Sequence, residues 1–209
     1  MTLLFVFALA IFFSSIGVLP PGMLNMTAAN ISMKQSHFQA KKFINGVLLV
    51  VALQSFLGYY FATFLEQNPE VMRNLKIVGS SIFSILTIFF LGKGIQSVLH
   101  SHKIDTHTKI SKLPPFSHGL LLSAINVFPV PYYAFLSLYF SAFIPCFFSL
   151  PIGISFVVGS VLGTGLVYHI YAYFFKRFET KMTFFSNNIN FIIAVITGLV
   201  AILTFYTLK

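Results

Sequence analysis

The 209-residue sequence contains no tryptophan, one cysteine and four acidic residues, and only 8% of it is charged. Each shortage excludes something. The lone cysteine, Cys146, rules out an intrachain disulfide and a paired-cysteine redox centre. The four carboxylates, Glu66, Glu70, Asp105 and Glu179, all fall in or near polar segments, so no acid at the centre of an apolar run is available for proton coupling. No nucleophile, base and orienting group stand in a catalytic pattern, so neither enzymatic activity nor a cofactor is expected. Soluble domains carry about 25% charged residues. A chain far below that, with 57% hydrophobic residues and a mean hydropathy of +0.88, belongs in a bilayer as a single membrane domain over residues 1–209. In the absence of tryptophan, any interfacial aromatic belt rests on tyrosines such as Tyr59, Tyr60, Tyr139 and Tyr206.

The net charge of +9 does not imply nucleic acid, because the basic residues sit in short segments between apolar runs. Those runs predict six transmembrane helices. Helix 1 spans Thr2 to about Met33 and is interrupted near Pro20. It lacks the positive leading region of a signal peptide and continues through the interruption. Helix 2 spans Phe43 to Leu65, after a basic loop from Lys34 to Lys42. Helix 3 spans Ile77 to Leu99, after a connector from Glu66 to Lys76, where Asn68-Pro69 reads as a turn or a helix start. A polar linker of about 100–115 joins the halves, repeat 1 being about 1–99 and repeat 2 about 116–209. Helix 4 spans Phe116 to Ile144, broken at Asn126 to Pro131, and a tight uncharged turn covers Pro145 to Pro151. Helix 5 (Ile152 to Phe175) and helix 6 (Asn188 to Leu208) flank a basic loop from Lys176 to Asn187. Three helices per half force the second half to run inverted.

The breaks organise the chain. Ile16-Gly17-Val18-Leu19-Pro20-Pro21-Gly22-Met23 is echoed 109 residues later by Ile125-Asn126-Val127-Phe128-Pro129-Val130-Pro131-Tyr132, with Ile16/Ile125, Val18/Val127 and Pro20/Pro129 identical. Proline removes an N–H and clashes with the preceding turn, so each copy breaks its helix. Paired breaks in two halves point to a transporter's binding site near the midplane. The candidate substrate-binding residues are Pro20, Pro21, Gly22, Asn25, Gln54, Asn126, Pro129 and Pro131. The half-helices after Gly22 and Pro131 are expected to offer free N–H groups to an anionic group. The amides of Asn25, Asn30 and Asn126 either satisfy carbonyls freed by the prolines or also touch substrate. Gln54 and Ser55 lie at similar depth and read first as helix-packing contacts, as do Gly159, Gly163 and Gly165. His169 either relays protons or bonds a backbone carbonyl. No metal site is assigned. His100, His102 and His107, around Asp105, form a cluster that reads as solvated loop.

The stretch Gly17-Val18-Leu19-Pro20-Pro21-Gly22-Met23-Leu24-Asn25 resembles the Pro-Gly signature in helix 1 of the lysine exporter superfamily of amino-acid exporters. Phe116-Ser117-His118-Gly119-Leu120-Leu121-Leu122-Ser123-Ala124-Ile125-Asn126 resembles that family's helix 4 opening. The chain departs from the pattern at Met23, where the family has a second proline, and at Val127, where it often has proline. The resemblance implies a six-helix secondary exporter of amino acids or similar small metabolites in a bacterial cytoplasmic membrane, working by alternating access. Its partners would be a small-molecule substrate and the lipid bilayer, without nucleic acid, and a homo-oligomer is possible. Two alternatives stand beside it: a metal-cation exporter, motivated by the three histidines, and a non-transporting membrane subunit, motivated by the lack of buried charge.

Orientation follows from Lys and Arg. Nine lie in the segments after helices 1, 3 and 5, and Lys93, near the end of helix 3, snorkels to the same face, making ten against Arg73, Lys76 and Lys209 on the other face, which puts the ten in the cytoplasm and both termini outside. Cysteines introduced at Ser36, Ser111 and Thr180 should therefore resist an impermeant thiol reagent applied to intact cells, whereas one at Asn68 should react. The opposite labelling pattern would reverse the topology.

Overall fold

The computed structural model describes residues 1–20, 22–99 and 113–206, and every regular element among them is an α-helix. In chain order these are α1 (Thr2–Val18), α2 (Met23–Lys34), α3 (His37–Gln67), α4 (Pro69–Leu99), α5 (Pro115–Ile125), α6 (Pro129–Ser141) and α7 (Leu150–Tyr206). By length and composition, α3 and the Leu150–Phe174 part of α7 can each cross a membrane. The pairs α1 plus α2 and α5 plus α6 pass the same test jointly, bent by 81° and 64° at their breaks, giving two to four candidate spans among the described residues. The breaks fall where the prolines are, because α6 begins at Pro129 and α1 ends two residues before Pro20.

Several helix boundaries differ from the sequence expectation for one shared reason. α3 starts at His37, inside the expected basic loop, because Ser36 caps it: the Gln39 N–H donates to Ser36 Oγ at 3.2 Å. α4 starts at Pro69 rather than Ile77. Asn68 precedes it, proline is favoured at the first helical position, and the Met72 N–H closes onto Asn68 O at 3.1 Å. α7 continues through the stretch expected to be a loop between helices 5 and 6, so the two are one 57-residue helix. Residues 176–187 contain neither glycine nor proline, and Lys, Arg, Glu and Met are good helix formers. Charge marks where a helix leaves the apolar phase; it does not end the helix.

The chain divides into two compact units, each taking segments from both halves of the sequence. One comprises Met1–Phe64 and Thr108–Arg177, the other Leu65–His107 and Phe178–Lys209. In the second, Thr87 of α4 lies where a Cβ on Gly198 of α7 would touch it, at 3.3 Å.

The first unit is held by close helix approach. A Cβ on Gly159 or Gly163 of α7 would run into the carbonyls of Phe7 and Ile11 of α1. The same pairing continues outward through Ser155 Oγ, which donates to Leu3 O at 2.7 Å, and the Tyr171 hydroxyl, which donates to Leu19 O at 2.8 Å. Residue numbers rise together along this seam, so α1 and α7 run parallel. A second parallel seam joins α3 to α5 and α6: Gly46 meets Phe116 and Leu120, Gly119 meets the Phe43 carbonyl, and Gly58 meets Val130 and Tyr133. Small residues let backbones approach and gain packing where lipid offers no hydrophobic drive. Between the seams lies an aromatic core, with Phe140, Phe147 and Phe156 fully buried. Tyr59 belongs to it. It is buried, and its hydroxyl donates to Phe147 O at 2.8 Å and reaches Ser149 O at 3.0 Å, pinning the turn before α7. It therefore cannot serve in an interfacial belt, unlike the exposed Tyr60 and Tyr139.

Gly163→Ala should lower the unfolding midpoint in detergent, at a cost of about 1–3 kcal/mol for overpacking against the α1 backbone. Gly92→Ala is the control. A Cβ there meets nothing within 4 Å, so that substitution should be neutral or stabilising.

Candidate functional site

Breaking a helix in an apolar phase frees carbonyls that water cannot satisfy. At the first break, Asn25 answers this. It is buried on α2, and its Nδ2 donates to Val18 O at 2.6 Å and to Pro20 O at 3.0 Å. The Tyr171 hydroxyl takes the intervening Leu19 carbonyl. At the second break the amide comes from a different helix. Gln54 of α3 is 5% exposed, and its Nε2 donates to Asn126 O at 2.7 Å and to Ser123 O at 3.1 Å. Both Gln54 contacts are to carbonyls, so the amide cannot be flipped, and its Oε1 is left buried without a partner. An orphaned acceptor of this kind costs about 1–3 kcal/mol.

The two breaks differ in what they present. α2 follows Gly22, in extended conformation, with no side-chain cap on its N-terminus. Its intrahelical bonding begins with the Met26 N–H onto Gly22 O at 3.0 Å, so the N–H groups of Met23, Leu24 and Asn25 come before it and point out of the helix end. Gly22 has φ −122°, which any residue adopts, and a Cβ there would meet only Pro20 O at 4.0 Å. Neither backbone conformation nor packing requires glycine at this position.

The second half-helix does not offer the N–H groups expected of it. α6 begins at Pro129, so Pro129 and Pro131 fill two of the first three helical positions and have no N–H to give. Val130 spends its own on Val127 O at 3.2 Å. The first break is rich in donors, whereas the second is poor in donors and holds the unsatisfied Gln54 oxygen.

The structure thus groups Asn25 with Pro20, and Gln54 with Asn126, whose side chain is half-buried. Tyr132, the residue after Pro131, connects the two regions: its hydroxyl donates to Phe13 O at 2.7 Å and its ring occupies the space a Cβ on Gly17 would need. α2 also packs against α5. Sequence reading missed Tyr132, although its position directly after the last proline of the echo was a usable signal. Pro21 lies outside the described residues, as do His100, His102 and His107. Among the described residues no group of three His, Cys, Asp or Glu side chains is placed to hold a metal ion. Asn30 lies half-buried on α2, and Ser55 donates to Ala52 O at 3.1 Å within its own helix. His169 Nδ1 lies 2.7 Å from Gly165 O, a local backbone contact. The chain matches no protein-family profile, no curated protein sequence and no solved structure.

Gln54→Leu strands only the Asn126 carbonyl, because Ser123 O keeps the Asn126 N–H at 3.1 Å, and it removes the orphaned oxygen, whereas Asn25→Leu strands Val18 and Pro20 with no such relief. Asn25→Leu should therefore lower detergent stability more than Gln54→Leu, with losses on the order of 1–3 kcal/mol per stranded buried carbonyl, read as unfolding midpoints.

Proposed function

We propose that the protein is a secondary exporter of amino acids or similar small metabolites, and that its substrate binds between the two breaks. The carrying observation is their opposite polarity. Uncapped N–H groups at the start of α2 favour a carboxylate, reinforced by the positive end of the helix dipole. The buried Gln54 Oε1 beside a proline-blocked helix start needs a donor, such as a primary ammonium. A zwitterion supplies both. Gly22, which neither backbone nor packing demands, leaves room for a ligand against the first break.

In this reading the inverted repeat is carried by α1 with α2, by α3, by α5 with α6, and by the Leu150–Phe174 part of α7; the unbroken α7 does not turn back, so its last apolar part is not counted as a sixth, antiparallel span. Support comes from the two seams. Phe7 and Phe116, 109 residues apart like the echoed breaks, each turn a carbonyl toward a glycine, Gly159 and Gly46 respectively. Each compact unit also draws on both halves. Alternating access would move one seam relative to the other about the breaks. The N-terminus would face outward, by the basic asymmetry. The resemblance in helices 1 and 4 supplies the export direction. Neither the metal-exporter nor the subunit alternative gains a specific observation among the described residues.

The test is a resistance screen in cells overproducing the protein, challenged with toxic amino acids and their analogues. Wild-type protein should confer resistance to a zwitterionic compound. Pro20→Ala with Pro21→Ala should insert normally, because apolar length is unchanged, yet lose that resistance as the α2 N–H groups become intrahelical. A helix 1 without these prolines that still exports at the wild-type rate overturns the proposed site.

A further inference from the structure

Along α3 the buried residues from Ala40 to Ala62 recur every three or four positions, and the remaining residues form one outward stripe. At the start of the helix that stripe holds Lys41, Lys42 and Asn45, all exposed. Beyond them it holds Leu49, Leu53, Phe56, Leu57 and Tyr60, each 45–67% exposed. The change from polar to apolar falls between Asn45 and Leu49, one helical turn apart. A single outward face of one helix therefore carries a cationic end and a hydrocarbon-like end in sequence.

The cationic end stands on a fixed base. Ser32 Oγ donates to Ala172 O at 2.6 Å and, with its one proton so used, accepts from His37 Nδ1 at 2.6 Å. The His37 ring stacks on that of Tyr173, with centroids 4.8 Å apart and planes 16° apart. The first turn of α3 is thereby tied to the end of α2, where Lys34 lies, and to α7. Lys42 Nζ sits 4.7 Å from the centre of the exposed Phe38 ring. The first unit holds seven Lys and Arg residues and no Asp or Glu, because Glu66, Glu70, Asp105 and Glu179 all belong to the other unit. Its counter-anions come from outside it.

We infer that Lys34, Lys41, Lys42 and Asn45, with the apolar stripe that follows them on α3, bind one anionic phospholipid whose headgroup carries no ammonium, of the phosphatidylglycerol type. The phosphate meets the lysines and the positive end of the α3 dipole. An acyl chain runs on along Leu49, Leu53 and Leu57. From Leu49 to Tyr60 the helix rises about 16 Å, close to half of a hydrocarbon core of about 30 Å, which is one leaflet. A zwitterionic lipid fits less well, because its ammonium would meet lysines and find no carboxylate in this unit. The basic asymmetry puts the site in the cytoplasmic leaflet. The inference rests on α3 crossing the membrane and does not use the export reading.

The experiment uses the purified full-length protein in nanodiscs of phosphatidylcholine, alone or mixed with phosphatidylglycerol or phosphatidylethanolamine. Retained lipid is read by native mass spectrometry, and stability by the unfolding midpoint. Phosphatidylglycerol should be retained over both zwitterionic lipids and should raise the midpoint. Lys41→Gln with Lys42→Gln should weaken that retention about twenty-fold, since each lysine near an anionic surface contributes about five-fold. The variant is expected to fold, because both side chains are exposed and glutamine is a good helix former. Arg73→Gln, in the other unit, should leave retention unchanged. Equal retention of all three lipids would overturn the inference, as would a preference that survives the double substitution. An equal loss on Arg73→Gln would mark nonspecific surface charge and overturn it too. Inorganic phosphate that reproduces the midpoint rise in pure phosphatidylcholine would replace the lipid with a free anion. Protein dimers in place of retained lipid would assign the face to a second copy of the chain. Either result removes the lipid site.

Discussion

Everything in the first unit answers to one constraint: a backbone carbonyl released from a helix in apolar surroundings must find a donor within the protein. Proline releases four such carbonyls that can be followed here: Asn25 takes those of Val18 and Pro20, Tyr171 that of Leu19, and Gln54 that of Asn126, while Gln54 also shares Ser123 O with the Asn126 N–H. The solutions are local at one break and tertiary at the other. Asn25 sits on the half-helix it serves, so the first break carries its own satisfaction. The second depends on α3 being in register, because Gln54 must arrive from a different helix. Loss of α3 packing would therefore expose the second break before the first.

Glycine sets how closely the helices can approach, and so whether those amides can reach. Gly46 and Gly58 flank Gln54 along α3 and draw that helix against α5 and α6. Filling either with a methyl group would push the helix away and lengthen two hydrogen bonds that the break cannot replace. Packing and polar satisfaction are thus one requirement in this region.

Much of this was legible in the sequence. The prolines named the breaks, and Asn25, suspected from its place beside the first break, bonds the carbonyls there. What was not legible follows from how the signals work. Basic clusters suggested loops at Lys34–Lys42 and Lys176–Asn187, but charge reports polarity, and only caps, glycine and proline report helix ends. Ser36 was such a cap and was overlooked. The expected donors at Pro131 failed because the helix starts at Pro129, two residues earlier than the echo suggested. The partners of Gln54 and the contact of the Tyr133 hydroxyl with Thr164 join residues far apart in sequence, and no local pattern announces them. Tyr59 looked like an interfacial residue by type, and tertiary packing put it inside instead.

The parallel seam between α1 and α7 has a consequence for how this chain can change over generations. Its contacts fall at Leu3, Phe7, Ile11 and Leu19 on one helix and at Ser155, Gly159, Gly163 and Tyr171 on the other, all in a single register. One inserted or deleted residue in α1 would rotate every later position by about 100° and misalign the glycines with the carbonyls they accommodate. Side chains along α1 are free to vary wherever they face outward, but its length is not. Descendants of this sequence should drift in composition there while keeping the residue count between the first contact and the first break fixed.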